Sequence, residues 1–276
     1  MNKKVLVLGF GNVCKIHTKY FDKNGIEWDW YDPYKALKES NRILQINKTL
    51  FKNNYYDRVF ILSTESSHYK NYKQVRDAGY KGWIFIEKPA VLKKEHFDIF
   101  DDDRVVCGLV ERFNPAIQAL KQHLDTDKVI NIDFSRCCVQ TESSGSSVLQ
   151  DIGIHDIDLF FYLTQKSCFN LKFDIVKNNN TIFLTIDSDI SARFIWSKDT
   201  FFKERKIIVR QSDCTYIVDL QDQVCIKNYS MHGKIVSESL FVEKSSSIEN
   251  EHNNLFLETP KPVDCKSSHE FLLRIS

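Results

Sequence analysis

Short apolar runs alternate with helical patterns over the first third of the chain. Residues 5–8, 59–62 and 83–86 are almost uniformly apolar, which is typical of strands buried on both faces of a parallel sheet. Segments 27–31 and 105–108 add two further strands, and residues 13–21 and 68–77 have helical patterns. This alternation predicts an α/β domain with a parallel sheet that covers 1–109.

The rest of the chain has a different pattern. Residues 114–124 and 154–163 are predicted helices, with one strand at 130–134 between them. Short strand patterns then follow one another with turn residues between them, at 171–176, 182–186, 190–196, 206–209, 214–220 and 224–226. Strands without intervening helices predict a second, α+β domain over 110–276, with an open and mostly antiparallel sheet.

Composition narrows the class of protein. A length of 276 residues suits two domains, and a net charge of +1 gives no field that would attract nucleic acid or an anionic membrane. No apolar run has the roughly 18 residues of a membrane helix, and the apolar start is too short for a signal peptide. The eight cysteines are scattered without a metal-binding spacing. We therefore expect a cytoplasmic protein with reduced thiols and no metal.

A glycine pair follows the first predicted strand. In Gly9-Phe10-Gly11, the first glycine permits a tight turn and the second lets the backbone approach a pyrophosphate at a helix N-terminus. Asn12 and Val13 then begin the helix. The third small position of this fingerprint holds Cys14 instead of glycine. The segment predicts a dinucleotide site, and a plain strand–helix turn is the alternative.

Asp32 ends the second predicted strand, about 20 residues after the glycines. A carboxylate there accepts the adenosine ribose hydroxyls and repels a 2′-phosphate, which favours NAD over NADP. Lys35, close behind it, leaves NADP open. The alternative is that Asp32 only forms a turn before Pro33.

Two polar segments follow the third and fourth predicted strands, where ligand crevices of α/β sheets form. Ser63 and Thr64, with His68 nearby, come after the third strand. Glu87 and Lys88 come directly after the fourth. A charged pair that ends a buried strand is a candidate site. The alternative for Lys88 is an ordinary solvent-exposed side chain.

A candidate acid–base pair lies in the second half of the chain. Asp151 and His155 are one helical turn apart at the start of an apolar helix, so they share a face. An imidazole beside a carboxylate can remove a proton from an alcohol. A structural histidine held by the aspartate is an equally good interpretation.

In this order, these segments resemble the glucose–fructose oxidoreductase/inositol dehydrogenase (Gfo/Idh/MocA) family. The matching residues are Gly9-Phe10-Gly11 with His17, Ser63-Thr64 with His68, Glu87-Lys88-Pro89, and Asp151, Gly153, His155 and Asp158. The resemblance implies that the first three segments bind NAD(H), whose nicotinamide lies between the domains, and that Lys88, Asp151 and His155 form the catalytic group. His155 would take the hydroxyl proton, Lys88 would bind the substrate oxygen, and Asp151 would hold His155.

A finer resemblance concerns the substrate. Residues 110–115, read with 155–158, resemble the subgroup that oxidises the 3-hydroxyl of UDP-N-acetylglucosamine. Arg112, Asn114 and Arg136 would then meet phosphate or sugar oxygens, with structural salt bridges as the alternative for both arginines. The chain is short for the family, and residues 249–276 look abbreviated, so we expect trimmed substrate loops.

The resemblance also implies a homodimer or homotetramer formed through the second domain's sheet. Two other functions stay open: a non-catalytic sensor of the NAD redox state, and a reductase of a different small molecule. Retention of Lys88, Asp151 and His155 together favours an enzyme, because a sensor needs only the nucleotide site.

Overall fold

The computed structural model describes residues 4–34, 55–139, 147–169, 171–178, 180–260 and 264–276. The chain divides into two units, Met1–Leu109 with Glu251–His269, and Val110–Asn250 with Glu270–Ser276. Among the described residues, no helix has the length and apolar character needed to cross a membrane.

The first unit contains a five-stranded parallel sheet in the order β2-β1-β3-β4-β5. Its strands are β1 (Lys4–Leu8), β2 (Glu27–Tyr31), β3 (Arg58–Ile61), β4 (Trp83–Glu87) and β5 (Val105–Gly108). Between these strands the structure describes the helices α1 (Asn12–Lys23) and α2 (His68–Asp77), with 3-10 turns at Glu65–Ser67 and Lys94–Asp101. This is the predicted α/β arrangement, and the carboxyl ends of β1, β3 and β4 lead into the candidate segments.

The second unit contains an eight-stranded sheet in the order β13-β12-β11-β10-β6-β9-β8-β7. The strands are β6 (Val129–Cys137), β7 (Lys172–Asn178), β8 (Thr181–Asp187), β9 (Ser191–Ser197), β10 (Glu204–Gln211), β11 (Cys214–Asp219), β12 (Val224–Met231) and β13 (Lys234–Ser239). Only the pairing of β6 with β9 is parallel among the described strand pairs of this sheet. The prediction of an open, mostly antiparallel sheet is confirmed.

Helices cover one face of this sheet. Helix α3 (Pro115–His123) contacts β11 and β12, and α4 (Ile154–Thr164) contacts β6. The side chains on the covered face are large and buried, among them Phe134, Phe194, Trp196, Val209 and Tyr216. The opposite face is only partly buried and carries an ion-paired row that includes Asp133, Arg193 and Arg210.

The C-terminal segment differs from the prediction that 110–276 is one domain. Residues 247–276 form α5 (Ser247–Leu255) and α6 (Lys266–Ile275), and Glu251–His269 belongs to the first unit. The physical reason is apolar burial, since Leu255 is fully buried in the aromatic core of the first unit and Phe256 packs against that core. Arg58 donates to the carbonyls of Leu255 and Leu257, which fixes the segment further.

Candidate functional site

The turn between β1 and α1 has the geometry of a phosphate-binding loop. Gly9 has a φ of +103°, and a Cβ there would lie 2.5 Å from the backbone nitrogen of Ser63, so only glycine fits. A Cβ on Gly11 would meet nothing within 4 Å, and Gly11 is the residue before the first turn of α1. The backbone at the N-terminus of α1 is therefore open to a ligand, and its dipole favours an anion.

The residues after Gly11 divide between surface and core. Gly11, Asn12 and Val13 are exposed, with Val13 at 41%, whereas Cys14 is fully buried in the core of the first unit. Cys14 therefore serves as the small residue that lets α1 pack closely on the sheet. The ring of Phe10 is partly covered, because it stacks on the ring of Trp30 with centroids 4.4 Å apart.

Asp32 joins the turns that follow β1 and β2. One carboxylate oxygen accepts from the backbone N–H of Phe10 at 2.9 Å, and the other accepts from the N–H of Tyr34 at 2.9 Å. The second bond is an Asx turn, so the turn-forming interpretation applies. Asp32 is nevertheless only partly buried, and each carboxylate oxygen keeps a lone pair for a ribose hydroxyl. Lys35 lies outside the described residues.

Side chains of α2 hold the segment after β3 in place. Asn71 donates to the hydroxyl of Ser63 at 2.8 Å, and the hydroxyl of Thr64 lies 3.3 Å from that of Ser67. His68 is 1% exposed, with Nδ1 2.9 Å from the carbonyl of Pro89 and Nε2 2.9 Å from that of Ser63. His68 thus links the loops that follow β3 and β4 and is buried beneath them, so this geometry favours a supporting role over direct cofactor contact.

The charged pair at the end of β4 is connected to buried groups. Glu87 Oε1 lies 3.0 Å from Nε2 of His17, and Glu87 Oε2 accepts the backbone N–H of Lys88 at 3.0 Å. Burial alone would raise the pKa of Glu87, but the hydrogen bond from His17 and the charge of Lys88 lower it overall. Glu87 is therefore an ionised carboxylate beside the partly buried Lys88.

The second unit holds Asp151 and His155. Asp151 lies in a π turn, Leu149–Gly153, and His155 in the first turn of α4, which continues from it; both side chains are partly buried. Lys198 Nζ lies 2.5 Å from Asp151 Oδ2 and is largely buried. π turns occur often at functional sites. Lys198 was not predicted, because it follows a strand with no motif around it and only the fold brings it to Asp151.

Arg136 is part of a buried ionic network. Its guanidinium lies 2.7 Å from both Glu111 and Asp156, it is 3% exposed, and Trp196 Nε1 also donates to Asp156. Burial raises the pKa of Glu111, but the charges of Arg136 and Arg205 lower it overall, so Glu111 stays ionised. Arg136 has no accessible face for a substrate, and the geometry favours the structural alternative.

Arg112 and Asn114 are also committed to the fold. Arg112 forms two 2.7 Å hydrogen bonds with Asp158, and its guanidinium lies over the ring of Tyr162. Asn114 is 3% exposed, accepts the N–H of Ala116 at the start of α3 and donates to the carbonyl of Leu220. For both residues, and for Asp158 of the family motif, the described contacts favour structural roles.

Metal binding and thiol chemistry find little support in the part of the chain that the structure describes. It contains no group of three or more His, Cys, Asp or Glu residues that could hold a metal ion. None of the eight cysteines forms a disulfide, and seven of them are buried. Burial raises the pKa of Cys225 to about 12, so this thiol is not a nucleophile at neutral pH.

No protein-family model and no curated protein sequence matches the chain. Several solved structures match the chain over its whole length. UDP-N-acetylglucosamine 3-dehydrogenase GnnA from Acidithiobacillus ferrooxidans matches with a TM-score of 0.82 and 19% identity, over 100% of this chain and 97% of that chain. The dehydrogenase MviM from Clostridium difficile matches with a TM-score of 0.74 and 15% identity, over 100% and 97%.

An NAD-binding protein from Listeria innocua matches with a TM-score of 0.75 and 14% identity, over 100% of this chain and 93% of that chain. The matches thus span nearly the whole length of these three neighbours. The structure therefore has the fold of these dehydrogenases and NAD-binding proteins, which confirms, at the level of the fold, the resemblance to the Gfo/Idh/MocA family.

Proposed function

We propose that the protein is an NAD-dependent oxidoreductase that transfers a hydride between nicotinamide and a hydroxyl-bearing carbon of a sugar or nucleotide sugar. The observation that carries this proposal is the turn after β1. Gly9 is required there by its positive φ and its approach to Ser63, while Gly11 leaves the N-terminus of α1 uncovered. That combination suits a pyrophosphate, and the fold shared with dehydrogenases supports it.

The residues of the first unit fit NAD. The backbone at Gly11 and Asn12 would hold the pyrophosphate, and Asp32 would accept the adenosine ribose hydroxyls. Ser63 and Thr64, after β3, would contact the cofactor farther along. NAD, when bound, supplies the hydride acceptor. Because Asp32 would repel a 2′-phosphate, we expect NAD to be used in preference to NADP.

Lys88, Asp151 and His155 would act on the substrate. Lys88 would donate to the oxygen of the reacting carbon and stabilise negative charge on it. His155 would take the hydroxyl proton, and Asp151 would orient the imidazole. Lys198 joins this proposal from the structure, since its ammonium holds Asp151 at 2.5 Å. In the reductive direction, His155 would return the proton.

The substrate we propose is a nucleotide sugar, with oxidation at the 3-hydroxyl of UDP-N-acetylglucosamine or a similar compound. Support comes from the fold shared with GnnA, a UDP-N-acetylglucosamine 3-dehydrogenase, and from the sequence around Arg112 and His155. Because Arg112, Asn114 and Arg136 are held in the fold, the diphosphate contacts would come from other side chains.

A substrate panel tests the proposed function. Purified protein should reduce NAD in the presence of a UDP-sugar, with a lower KM for NAD than for NADP because of Asp32. The readout is the absorbance of the reduced nicotinamide, with NAD affinity measured separately by calorimetry. Tight NAD binding without turnover of any sugar or nucleotide sugar, in either direction, would support the sensor alternative and contradict the enzyme.

We also propose that the protein is a homodimer or homotetramer formed through the open face of the second unit's sheet. Val176, Phe183 and Ile195 lie side by side on β7, β8 and β9 and are 61%, 46% and 40% exposed. An exposed apolar patch beside ion-paired residues is typical of an interface. The free, mostly buried cysteines suit a reducing compartment, which supports the proposed cytoplasmic location.

Phe183→Asp should dissociate the oligomer. A carboxylate at the centre of the apolar patch would have to be desolvated in the interface, which is unfavourable without a partner. Light scattering after size exclusion should show a fall to the 32.4 kDa monomer. Ile130→Asp is the matched control, because Ile130 is 55% exposed on β6 outside the patch and should leave the mass unchanged. Equal masses for the two variants would exclude this face as the interface.

A further inference from the structure

A row of buried hydrogen bonds connects the C-terminal segment to the end of β4. Nε2 of His252 lies 2.8 Å from Nδ1 of His17, and Nε2 of His17 lies 3.0 Å from Oε1 of Glu87. The second oxygen of Glu87 accepts the backbone N–H of Lys88 at 3.0 Å. His17 is 1% exposed and His252 is fully buried. We call this row the His252–His17–Glu87 chain.

The proton positions in this chain follow from its partners. Nδ1 of His252 is buried without a hydrogen-bond partner among the described residues, so a proton there would be an unsatisfied donor. The proton of His252 therefore lies on Nε2, which donates to Nδ1 of His17. Nε2 of His17 then carries the other proton and donates to the ionised Glu87. Both donors thus point toward Glu87.

The surroundings of His252 keep it neutral. The rings of Tyr20, Phe21, Phe60 and Phe85 lie around its imidazole, with Tyr20 stacked at 4.5 Å. Burial, together with the neighbouring His17, lowers the pKa of His252 to about 3. His252 therefore donates from the same nitrogen over the whole range of pH in which an enzyme works.

The His252–His17–Glu87 chain also determines which of two buried carboxyl groups, Glu87 and Glu251, is ionised. Glu251, beside His252 in α5, has both carboxyl oxygens buried without a hydrogen-bond partner in the described structure. Burial raises the pKa of Glu251 well above its usual value, and the charge of Glu87 raises it further. Glu87 is bonded to His17 and to the Lys88 amide, whereas burial dominates at Glu251, so the negative charge is placed beside Lys88.

The space around Glu87 is tight. A Cβ on Gly108 would lie 3.1 Å from Glu87 Oε1, so β5 leaves little room for the carboxylate to turn. The carboxylate is thus confined by Gly108, bonded by His17 on one oxygen and bonded by the Lys88 amide on the other. The direction of the polypeptide backbone as it leaves β4 at Lys88 depends on these contacts of the Glu87 carboxylate.

We propose that His252 is a positioning residue for Lys88: its N–H orients His17, His17 fixes the Glu87 carboxylate, and Glu87 holds the backbone from which the Lys88 side chain extends. This inference rests on the proposed function for the role of Lys88 in turnover. It extends that function by assigning a part to α5, a segment that no sequence motif marks.

Two variants of similar shape test the proposal. His252→Gln retains an N–H donor toward His17, whereas His252→Met removes it. In protein labelled with 15N-lysine, and without substrate or cofactor, the Lys88 amide signal is identified by its absence in Lys88→Arg. We expect His252→Met to move this signal upfield, because the bond to Glu87 weakens, and His252→Gln to restore most of the native shift.

Turnover provides the second readout. His252→Met should lower kcat about tenfold with little change in NAD affinity, and His252→Gln should recover most of the loss. Tyr20→Phe is the control for the packing of α5 against the first unit. It removes the hydrogen bond from Tyr20 to Asn253 but leaves the His252–His17–Glu87 chain intact. It should not move the Lys88 amide signal.

The native protein offers a test that needs no variant. 15N spectra of its histidines should show His252 neutral, with its proton on Nε2. A proton on Nδ1 of His252, or a Lys88 amide signal that is the same in His252→Met and the native protein, would overturn the proposal. A Lys88 signal that moves as expected in a protein without sugar turnover would support the positioning contact and contradict the proposed function instead.

Discussion

Lys88→Met should lower kcat about 100- to 1,000-fold while NAD still binds. The ammonium is proposed to donate to the oxygen on which charge develops during hydride transfer, and loss of one such donor has an effect of this size. Methionine keeps much of the length of the side chain, and the backbone bond from residue 88 to Glu87 does not need the ammonium. Steady-state rates with the best sugar substrate, and NAD affinity by calorimetry, measure the two effects.

Lys93→Met is the matched control for Lys88→Met. Lys93 follows in the same loop region, is 63% exposed and pairs only loosely with Glu95 at 3.6 Å, so its loss should change kcat less than about twofold. His155→Ala should cause a loss comparable to that of Lys88→Met if it removes the general base. Near-native turnover by Lys88→Met would show that Lys88 does not have the proposed role.

Arg136→Met should lower the free energy of unfolding by about 3–5 kcal/mol, because it leaves buried carboxylates without their partner. Glu111 and Asp156 are 5% and 2% exposed, and both lie 2.7 Å from the guanidinium. Either they stay charged without a counterion, or they take up protons at a cost in free energy. Urea unfolding followed by circular dichroism gives the difference.

Arg193→Met is the control for Arg136→Met, because Arg193 lies on the neighbouring strand β9 and points to the open face. Its side chain is 63% exposed and pairs with Asp133 at 2.7 Å, so its loss should change stability by about 0–1 kcal/mol. Arg136→Met combined with Glu111→Gln and Asp156→Asn should regain part of the lost stability. A stable Arg136→Met that had lost only substrate affinity would restore the substrate-binding interpretation.

Most of the fold could be predicted because its strands carry local signals. Strands β1, β3 and β4 are continuously apolar since both faces of the parallel sheet are covered, and the strands of the second unit alternate where one face is open. Strand β13 was missed because it lies at the sheet edge, where five of its six residues are exposed. Helices α5 and α6 were missed because their burial depends on distant segments.

The residues of the candidate site differ in the same way, since only some of them carry a local signal in the sequence. Gly9, Asp32 and Lys88 could be found because a strand end and a short motif mark each of them. Lys198 and His252 could not, since only the fold brings Lys198 to Asp151 and His252 to His17. For Arg136, the residue type suits phosphate and carboxylate equally, and the sequence does not show that Glu111 and Asp156 already surround it.

The return of Glu251–His269 to the first unit has a consequence for synthesis on the ribosome. The N-terminal sheet emerges first, but His252, Leu255 and Phe256 complete its aromatic core and are translated only after nearly all of the second unit. Until then Phe21 and Phe60 lack part of their covering, so the nascent chain exposes apolar surface that favours aggregation. The first unit therefore cannot complete its core until residues 252–256 have been made, although its strands are translated well before them.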